Sequence, residues 1–303
     1  MRIAVITITY NDVTRITQWY ELYQEYKNDI KWHIIVDNSS REEYINMLEA
    51  TFKSSIIIKR NSNGGCTEAY NDGIQYALNN TDCDSIAIIV NDTKVSNNYY
   101  PTLYKYLYSD IQLGMVSPTT LIKGTDLVNS SGHTIAKNLS MTRDFHGKKL
   151  SSIPKHHYTE MLLGGNNLAK RSFYEKVGLQ DENLFMFSDE IDTAIRAKNA
   201  GFKLGVTSEV TSMHYHIPYS DNLERPLVSF YLMHRNKLYL AKKHYGEIKK
   251  IKVFFSFLFS IFKMILLGIY KKDKIFLKKA KWSMAGVLYG FVGNMKENKY
   301  FKK

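Results

Sequence analysis

Cysteine is scarce: Cys66 and Cys83 are the only two among 303 residues. They permit at most one bridge and match no zinc-site spacing. A reduced, cytosolic setting is the default expectation. Proline is scarce too, with five residues, and no linker divides the chain before about residue 220. The opening Met1-Arg2-Ile3-Ala4-Val5-Ile6-Thr7-Ile8-Thr9 is strand-like and lacks a long apolar signal core, so no secretion signal is expected. Neither familiar phosphate loop, Gly-x-Gly-x-x-Gly or Gly-Lys-Ser/Thr, is present.

Excess positive charge is missing from most of the chain. The formal net charge is +12. Residues 249–303 hold 14 basic and 2 acidic side chains, which leaves 27 of each sign before them. A neutral body excludes polyanion binding along its length, because that mode needs the charge on the binding domain itself; no nucleic-acid partner is expected. A hydrophobic content of 44% with 13% aromatics excludes disorder. The length suits one large α/β domain, or one domain with an appendage.

What is present alternates. Residues 3–8, 32–36, 56–58 and 85–90 are apolar, largely β-branched runs. Between them lie helical patterns: one with Trp19, Leu22, Tyr23 and Tyr26 on a single face, then 41–52 and 66–79. Buried strands alternating with amphipathic helices predict a mostly parallel sheet with helices on both faces. Residues 119–160 read as irregular, with short strand-like pieces that shape a pocket. Helices are expected at about 170–177 and 189–200, and a strand at 203–207.

Polar clusters follow the strands, at the carboxyl ends where open α/β sheets bind ligands. Asp37-Asn38-Ser39-Ser40 closes the second strand. A carboxylate there can accept the imide hydrogen of a pyrimidine, with Thr9 and Asn11 lining the same crevice; a helix N-cap and turn is the other reading. Asn63-Gly64-Gly65 and Asn71-Asp72-Gly73 surround a helix entry that lets backbone approach a ligand, or simply packs helix on sheet. Val90-Asn91-Asp92-Thr93 ends the fourth strand, where Asp92 can hold a divalent cation together with diphosphate oxygens, or merely turn the chain. The densest cluster is Asp189-Glu190-Ile191-Asp192 after Phe185 and Phe187. A helix N-terminus tolerates three such carboxylates, and Asp192 with Arg196 forms an i,i+4 pair. Carboxylates held against aromatic rings also have reason to act as bases.

The order of these clusters resembles the inverting family 2 glycosyltransferases with the GT-A fold, from Ile3 to about His216. The resemblance rests on Thr9-Tyr10-Asn11, on Asp37 to Ser40, on Asn63, Gly65, Asn71 and Gly73, on Val90-Asn91-Asp92, and on Asp181, Glu182, Phe185, Asp189, Glu190 and Asp192. It implies a nucleotide diphosphate sugar donor bound by Thr9, Asn11, Asp37, Asn63, Gly65, Asn71, Asn91, Asp92, Gly165 and Asn166. It further implies Mg²⁺ or Mn²⁺ at Asp92 with His214 and His216, and a base at Glu190 or Asp189. The family's Glu-Asp pair is reversed here as Asp189-Glu190, and Val90 replaces a residue that is polar in many members.

The basic tail carries an 18-residue apolar run, 253–270, with Lys263 near its middle and lysines at both ends. That length is about the minimum for a span. The central lysine favours a helix lying in an anionic membrane surface, with a second helix at about 275–292. A true span, a helical pair packed on the core and a homo-oligomer contact are the other uses. Arg235-Asn236 resembles family members that extend surface polysaccharides, including rhamnosyltransferases. There Arg235 would contact the diphosphate of a lipid-linked glycan acceptor, or form a structural ion pair. The expected architecture is thus a GT-A domain over 1–218 and a helical, membrane-associating appendage over 219–303. The expected function is sugar transfer in surface polysaccharide synthesis, peripheral to the cytoplasmic side of the membrane, from dTDP-rhamnose or otherwise a UDP-hexose. A catalytically weakened scaffold of the same fold and a sugar nucleotidyltransferase are the rivals. The second should carry a Gly-rich, Arg-containing loop after the first strand, which Thr9-Tyr10-Asn11-Asp12 is not.

Overall fold

The computed structural model describes residues 1–215 and 224–295. The chain forms two compact units. One comprises Met1–Ile135, Met141–Glu182 and Thr193–His216; the other comprises Ala136–Ser140, Asn183–Asp192 and Ile217–Lys303.

The first unit opens with four parallel strands in the order β4-β1-β2-β3. They are β1 (Ile3–Thr9), β2 (Trp32–Asp37), β3 (Ile56–Lys59) and β4 (Ser85–Ile89). Helices α1 (Ile16–Gln24), α2 (Glu42–Thr51) and α3 (Gly65–Asn80) connect them. Residues of β1, β2 and β4 are almost all buried, which is why their sequences are continuous apolar runs rather than alternating ones. Register places Thr9 beside Asp37 and Asp37 beside Lys59. The polar clusters that follow these strands therefore emerge along one sheet edge.

The rest of this unit comprises β5 (Thr93–Val95), α4 (Tyr99–Leu107), β6 (Leu113–Leu121), β7 (Val128–Ser130), β8 (His133–Ile135), β9 (Met141–Arg143), β10 (His156–Thr159), β11 (Asn166–Lys170) and α5 (Arg171–Val177). It ends in α6 (Asp189–Asn199), which starts in the other unit, and β12 (Lys203–His214). Strand β11 runs antiparallel between β4 and β6, giving the order β10-β12-β6-β11-β4-β1-β2-β3.

Two elements depart from the sequence expectation. Helix α4 is not foreseen; its Pro101 sits in the first turn, where a missing N–H costs no helical bond. Strand β12 runs well past residue 207, because a register shift between Thr207 and Thr211 lets it continue beside β6 and then pair β5 at Ser212–His214. The core joins α1, α2 and α4 to the sheet through Trp19, Tyr23, Tyr44, Phe52, Tyr100 and Leu103. His33 stacks on Tyr23 at 4.4 Å, and burial lowers its pKa to about 3.

In the second unit α7 (Glu224–Tyr270) is followed by α8 (Lys274–Val292). Helix α7 breaks at Gly246, where φ is +82°, a conformation cheap only for glycine. The two helices pack closely because α8 offers glycine at the contact: a Cβ on Gly286 or Gly290 would strike the carbonyl oxygens of Tyr231 or Arg235. Before the break, Val228, Tyr231 and Leu232 pack with Phe185, Phe187, Trp282 and Tyr289. After it, Val253, Phe257 and Ile261 are buried, whereas Phe255, Phe259, Phe262, Leu266 and Ile269 are exposed. The helix over Leu227–Tyr270 is long and apolar enough to cross a membrane. The main part of the second unit begins at Ile217, and Ala136–Ser140 and Asn183–Asp192 cluster with it.

Candidate active site

At the sheet edge each strand end is tied to its neighbour. Thr9 Oγ1 shares a hydrogen bond with the Tyr44 hydroxyl, whose pKa burial pushes up to about 12. The Asn11 N–H donates to Ser40 Oγ (2.8 Å), and Asn11 Oδ1 accepts from the Arg41 N–H (2.9 Å), joining the loops after β1 and β2. Asn11 adopts φ +50°, a left-handed conformation that asparagine tolerates.

Asp37 is wholly buried. Its Oδ2 accepts from the Ser40 N–H at 2.9 Å, and its Oδ1 has no hydrogen-bond partner among the described residues. A buried carboxylate oxygen without a donor is costly, so this one is suited to a ligand's N–H.

Asn38 fixes the next loop. Its Nδ2 donates to Asn63 Oδ1 (2.9 Å) and the Gly65 carbonyl (3.0 Å). Its Oδ1 accepts from Arg60 Nη1 at 3.1 Å. Gly65 opens α3 at φ +79° and donates its N–H to Asn63 Oδ1. Arg60 also pairs with Glu68 (2.5 Å) and Asp72 (2.8 Å). Asn71, expected near the nucleotide, has other work: its amide bonds Gln180 through both N–H and carbonyl and reaches Glu182 Oε1 at 3.0 Å. These bonds tie α3 to the 180–182 segment.

After β4, Asn91 Nδ2 donates to Asp12 Oδ2 (2.7 Å) and Arg15 Nε to Asp12 Oδ1 (2.8 Å). Arg15 Nη1 lies 3.5 Å from Asp92 Oδ2, and His214 Nδ1 lies 3.5 Å from Asp92 Oδ1. The Tyr215 N–H donates to the Asp92 carbonyl at 2.8 Å, anchoring the end of β12 beside this loop. Asp92 and His214 fit a divalent cation: their separation is about what two ligands of one ion subtend, roughly 3–3.5 Å. No group of three or more His, Cys, Asp or Glu side chains suited to a metal occurs among the described residues. The remaining coordination would fall to phosphate oxygens and water, the usual arrangement for Mg²⁺. His216 lies outside the described residues.

Asp12 and Arg15 are the functional candidates that sequence reading passes over. Their signal is an i,i+3 acid–base pair directly after the first strand.

Across β11, the Val90 N–H donates to the Gly165 carbonyl (3.0 Å), and a Cβ on Gly165 would come within 2.9 Å of Val90. Asn166 Oδ1 accepts from the Tyr99 hydroxyl, while its Nδ2 is buried with no partner among the described residues. Asn166 lines a cavity of about 20 Å³ with Ser117, Thr120, Ser130, His133 and His214. That space admits about one water or one hydroxyl.

The acidic cluster belongs to the second unit and does begin a helix, α6. Asp192 is fully buried, and its Oδ1 accepts from Lys243 Nζ and His244 Nε2, both at 2.7 Å. Asp189 is buried and Glu190 is only partly so. Burial above all, then the Glu190 charge and a hydrogen bond with Glu190, raises the Asp189 carboxyl well above the usual range. Of the two candidate bases, Asp189 is enclosed and Glu190 is partly exposed.

Arg235 is also enclosed, at 0% exposure. Its guanidinium donates to the main-chain carbonyls of Asn183, Leu184 and Met295 at 3.2–3.3 Å. Contact with an acceptor diphosphate does not fit that placement; the residue holds backbone instead.

Comparison with known proteins agrees with this architecture. A hexosyltransferase of low-salt glycan biosynthesis, Agl10 of Haloferax volcanii, is 22% identical over 215 residues, covering 70% of this chain and 66% of its own length. The structure of GalNAc-T7 with UDP, GalNAc and Mn²⁺ matches at TM-score 0.64 and 13% identity over 98% of this chain and 58% of that one. The mannosyltransferase PcManGT of Pyrobaculum calidifontis, in complex with GDP-Man and Mn²⁺, matches at 0.58 and 13% over 97% and 88%. This chain thus spans less than two thirds of the first two. The family model described as glycosyl transferase family 2 matches residues 4–178, which is more than half of the chain. The chain belongs to glycosyl transferase family 2.

Proposed function

We propose that the chain is an inverting, metal-assisted transferase of one sugar from a nucleotide diphosphate donor to a lipid-linked glycan in surface polysaccharide synthesis. The observation that carries this reading is the pairing, on one sheet edge, of Asp37, with its unmet buried Oδ1, and the Asp92–His214 pair. Asp37 would accept the imide N–H of uracil or thymine, so the donor is dTDP-rhamnose or otherwise a UDP-hexose. Asp92 and His214 would hold Mg²⁺ or Mn²⁺, which supplies charge to the leaving diphosphate. Arg15 adds a fixed positive charge beside Asp92, and Asn166 Nδ2 suits a sugar hydroxyl.

Glu190 takes the proton of the acceptor hydroxyl. That oxygen bonds the anomeric carbon as the bond to the diphosphate breaks and its electron pair leaves with phosphate, which inverts the centre. The leaving group needs charge stabilisation and not protonation, so one base is enough.

The exposed apolar residues after Gly246, interleaved with Lys249, Lys252, Lys263, Lys271 and Lys272, suit an anionic membrane surface. They support a peripheral membrane site, which we place on the cytoplasmic side. The hexosyltransferase relative in glycan biosynthesis agrees with hexose transfer.

The test is a thermal-shift panel of UDP-, dTDP- and GDP-sugars with Mn²⁺, followed by donor cleavage. A shift and cleavage confined to UDP- or dTDP-sugars is expected. Absence of both with every donor removes the transferase reading.

A further inference from the structure

The turn that leads into α6 is conformationally expensive. Phe185, Phe187 and Ser188 adopt φ of +63°, +67° and +66°, three non-glycine residues in left-handed backbone within four positions. Such conformations persist only where the surroundings over-determine them. Here one side chain does so. Asn236 of α7, 0% exposed, directs its single Nδ2 at three carbonyls: Leu184 (2.9 Å), Met186 (3.0 Å) and Phe187 (2.8 Å). Arg235 Nε donates to Asn236 Oδ1 at 3.0 Å, which fixes the amide's orientation, and its Nη2 reaches the carbonyls of Asn183 and Leu184. Phe185 and Phe187 pack on Tyr231 and Trp282.

We propose that Asn236, oriented by Arg235, is a positioning residue for transfer. It holds the left-handed 185–188 turn, and that turn sets the backbone from which Asp189 and Glu190 project. The proposal rests on Glu190 being the base, but concerns a residue 46 positions away that touches no substrate. An amide is the side chain required. Its nitrogen donates to the carbonyls, whereas a carboxylate of the same shape would place an oxygen against them. Leucine would leave all three unmet.

The test uses the full chain with Mn²⁺–UDP as the binding probe and, for turnover, the nucleotide sugar that the wild type cleaves. Asn236→Ala is expected to lower kcat about 10²-fold, the scale of a misplaced catalytic group. Mn²⁺–UDP affinity should stay within about twofold, and faster amide exchange should be confined to residues 184–190. Adding Ser188→Gly should recover about tenfold of the lost kcat, since glycine adopts positive φ without strain; a general packing defect would not be rescued this way.

If Asn236→Ala prevents folding, Arg235→Lys, which keeps the charge but loses the guanidinium fork, must show the same kcat-selective loss. A kcat within threefold of wild type, an equal loss of UDP affinity, or no rescue by Ser188→Gly overturns the proposal. Glu190→Gln run in parallel separates the two readings. Full activity there, with loss in Asn236→Ala, would show a turn that presents a different base. Loss there, with none in Asn236→Ala, would sink the positioning role alone.

Discussion

The sheet edge that carries Asp37 and Asp92 and the acidic turn before α6 present polar groups by opposite means. At the sheet edge the backbone is regular. Asp37 and Asp92 sit where parallel strands end, and buried atoms such as Asp37 Oδ1 and Asn166 Nδ2 are left without partners among the described residues. At the acidic turn the backbone is irregular, and every carbonyl from Leu184 to Phe187 that Arg235 and Asn236 reach is satisfied by a side chain about 50 residues distant. One region is rigid because a sheet makes it so, and it stores unmet polarity for a ligand. The other is rigid only while two buried side chains hold it.

Substitutions can break this comparison at either end. The largest effect is expected from Glu190→Gln, a loss of about 10³-fold in turnover if the base reading holds, with Mn²⁺–UDP binding within twofold by calorimetry. Asp189→Asn should cost far less. Because the folded-state carboxyl titrates above its unfolded value, stability is lost as pH rises from about 4 through that raised value. The asparagine variant should therefore lose less stability than wild type as pH is raised above about 4 in thermal melts.

At the sheet edge Asp92→Asn should weaken Mn²⁺–UDP binding by about 10²-fold and make turnover insensitive to added metal. Asp37→Ala should lower UDP affinity about tenfold or more, the scale of a hydrogen bond to a charged group. Smaller effects are expected from Phe259→Ser with Phe262→Ser. These exposed residues should reduce sedimentation with vesicles containing phosphatidylserine, most clearly at high salt, and leave UDP affinity unchanged. Truncation at residue 248 is a poorer probe, since it removes α8 and with it the packing of Gly286 and Gly290 against Tyr231 and Arg235.

A separate test, read on stability and not on turnover, is a pH dependence at the core. His33 is neutral in the fold with a pKa of about 3, against 6.5 when unfolded. The unfolded chain therefore binds the extra proton between those values. Stability is lost as pH falls from about 6.5 toward 3, at up to about 1.4 kcal/mol per unit. His33→Gln should show a shallower loss than wild type over that window in urea titrations.

The β1 to β4 alternation was readable because each strand is buried on both faces, so its apolar run stands out, and each helix shows one apolar face. The strand-end candidates were readable for the same reason: a parallel sheet sends successive carboxyl ends to one edge. Asp12 and Arg15 were not, since nothing local says that a turn after β1 will meet the loop after β4. The partners of Asn71, Gln180 and Glu182, were not legible either, because they lie more than 100 residues away. Helix α4 was passed over although Asn98 at its N-cap and Pro101 in its first turn are start signals, and the far part of β12 depends on a register shift that only its neighbours impose.

The scarcity of cysteine and the confinement of positive charge to the tail were properties of the chain as a string. They determined a neutral α/β body and a basic, apolar C-terminal segment, because composition and periodicity act locally. What the helix leading into that segment holds was decided only by tertiary structure. Arg235, read as a contact for an acceptor diphosphate or as half of an ion pair, is buried with Asn236 against the 183–187 carbonyls. A left-handed turn of phenylalanines and a serine is stable only when distant donors meet its backbone, and no local pattern records where those donors will come from.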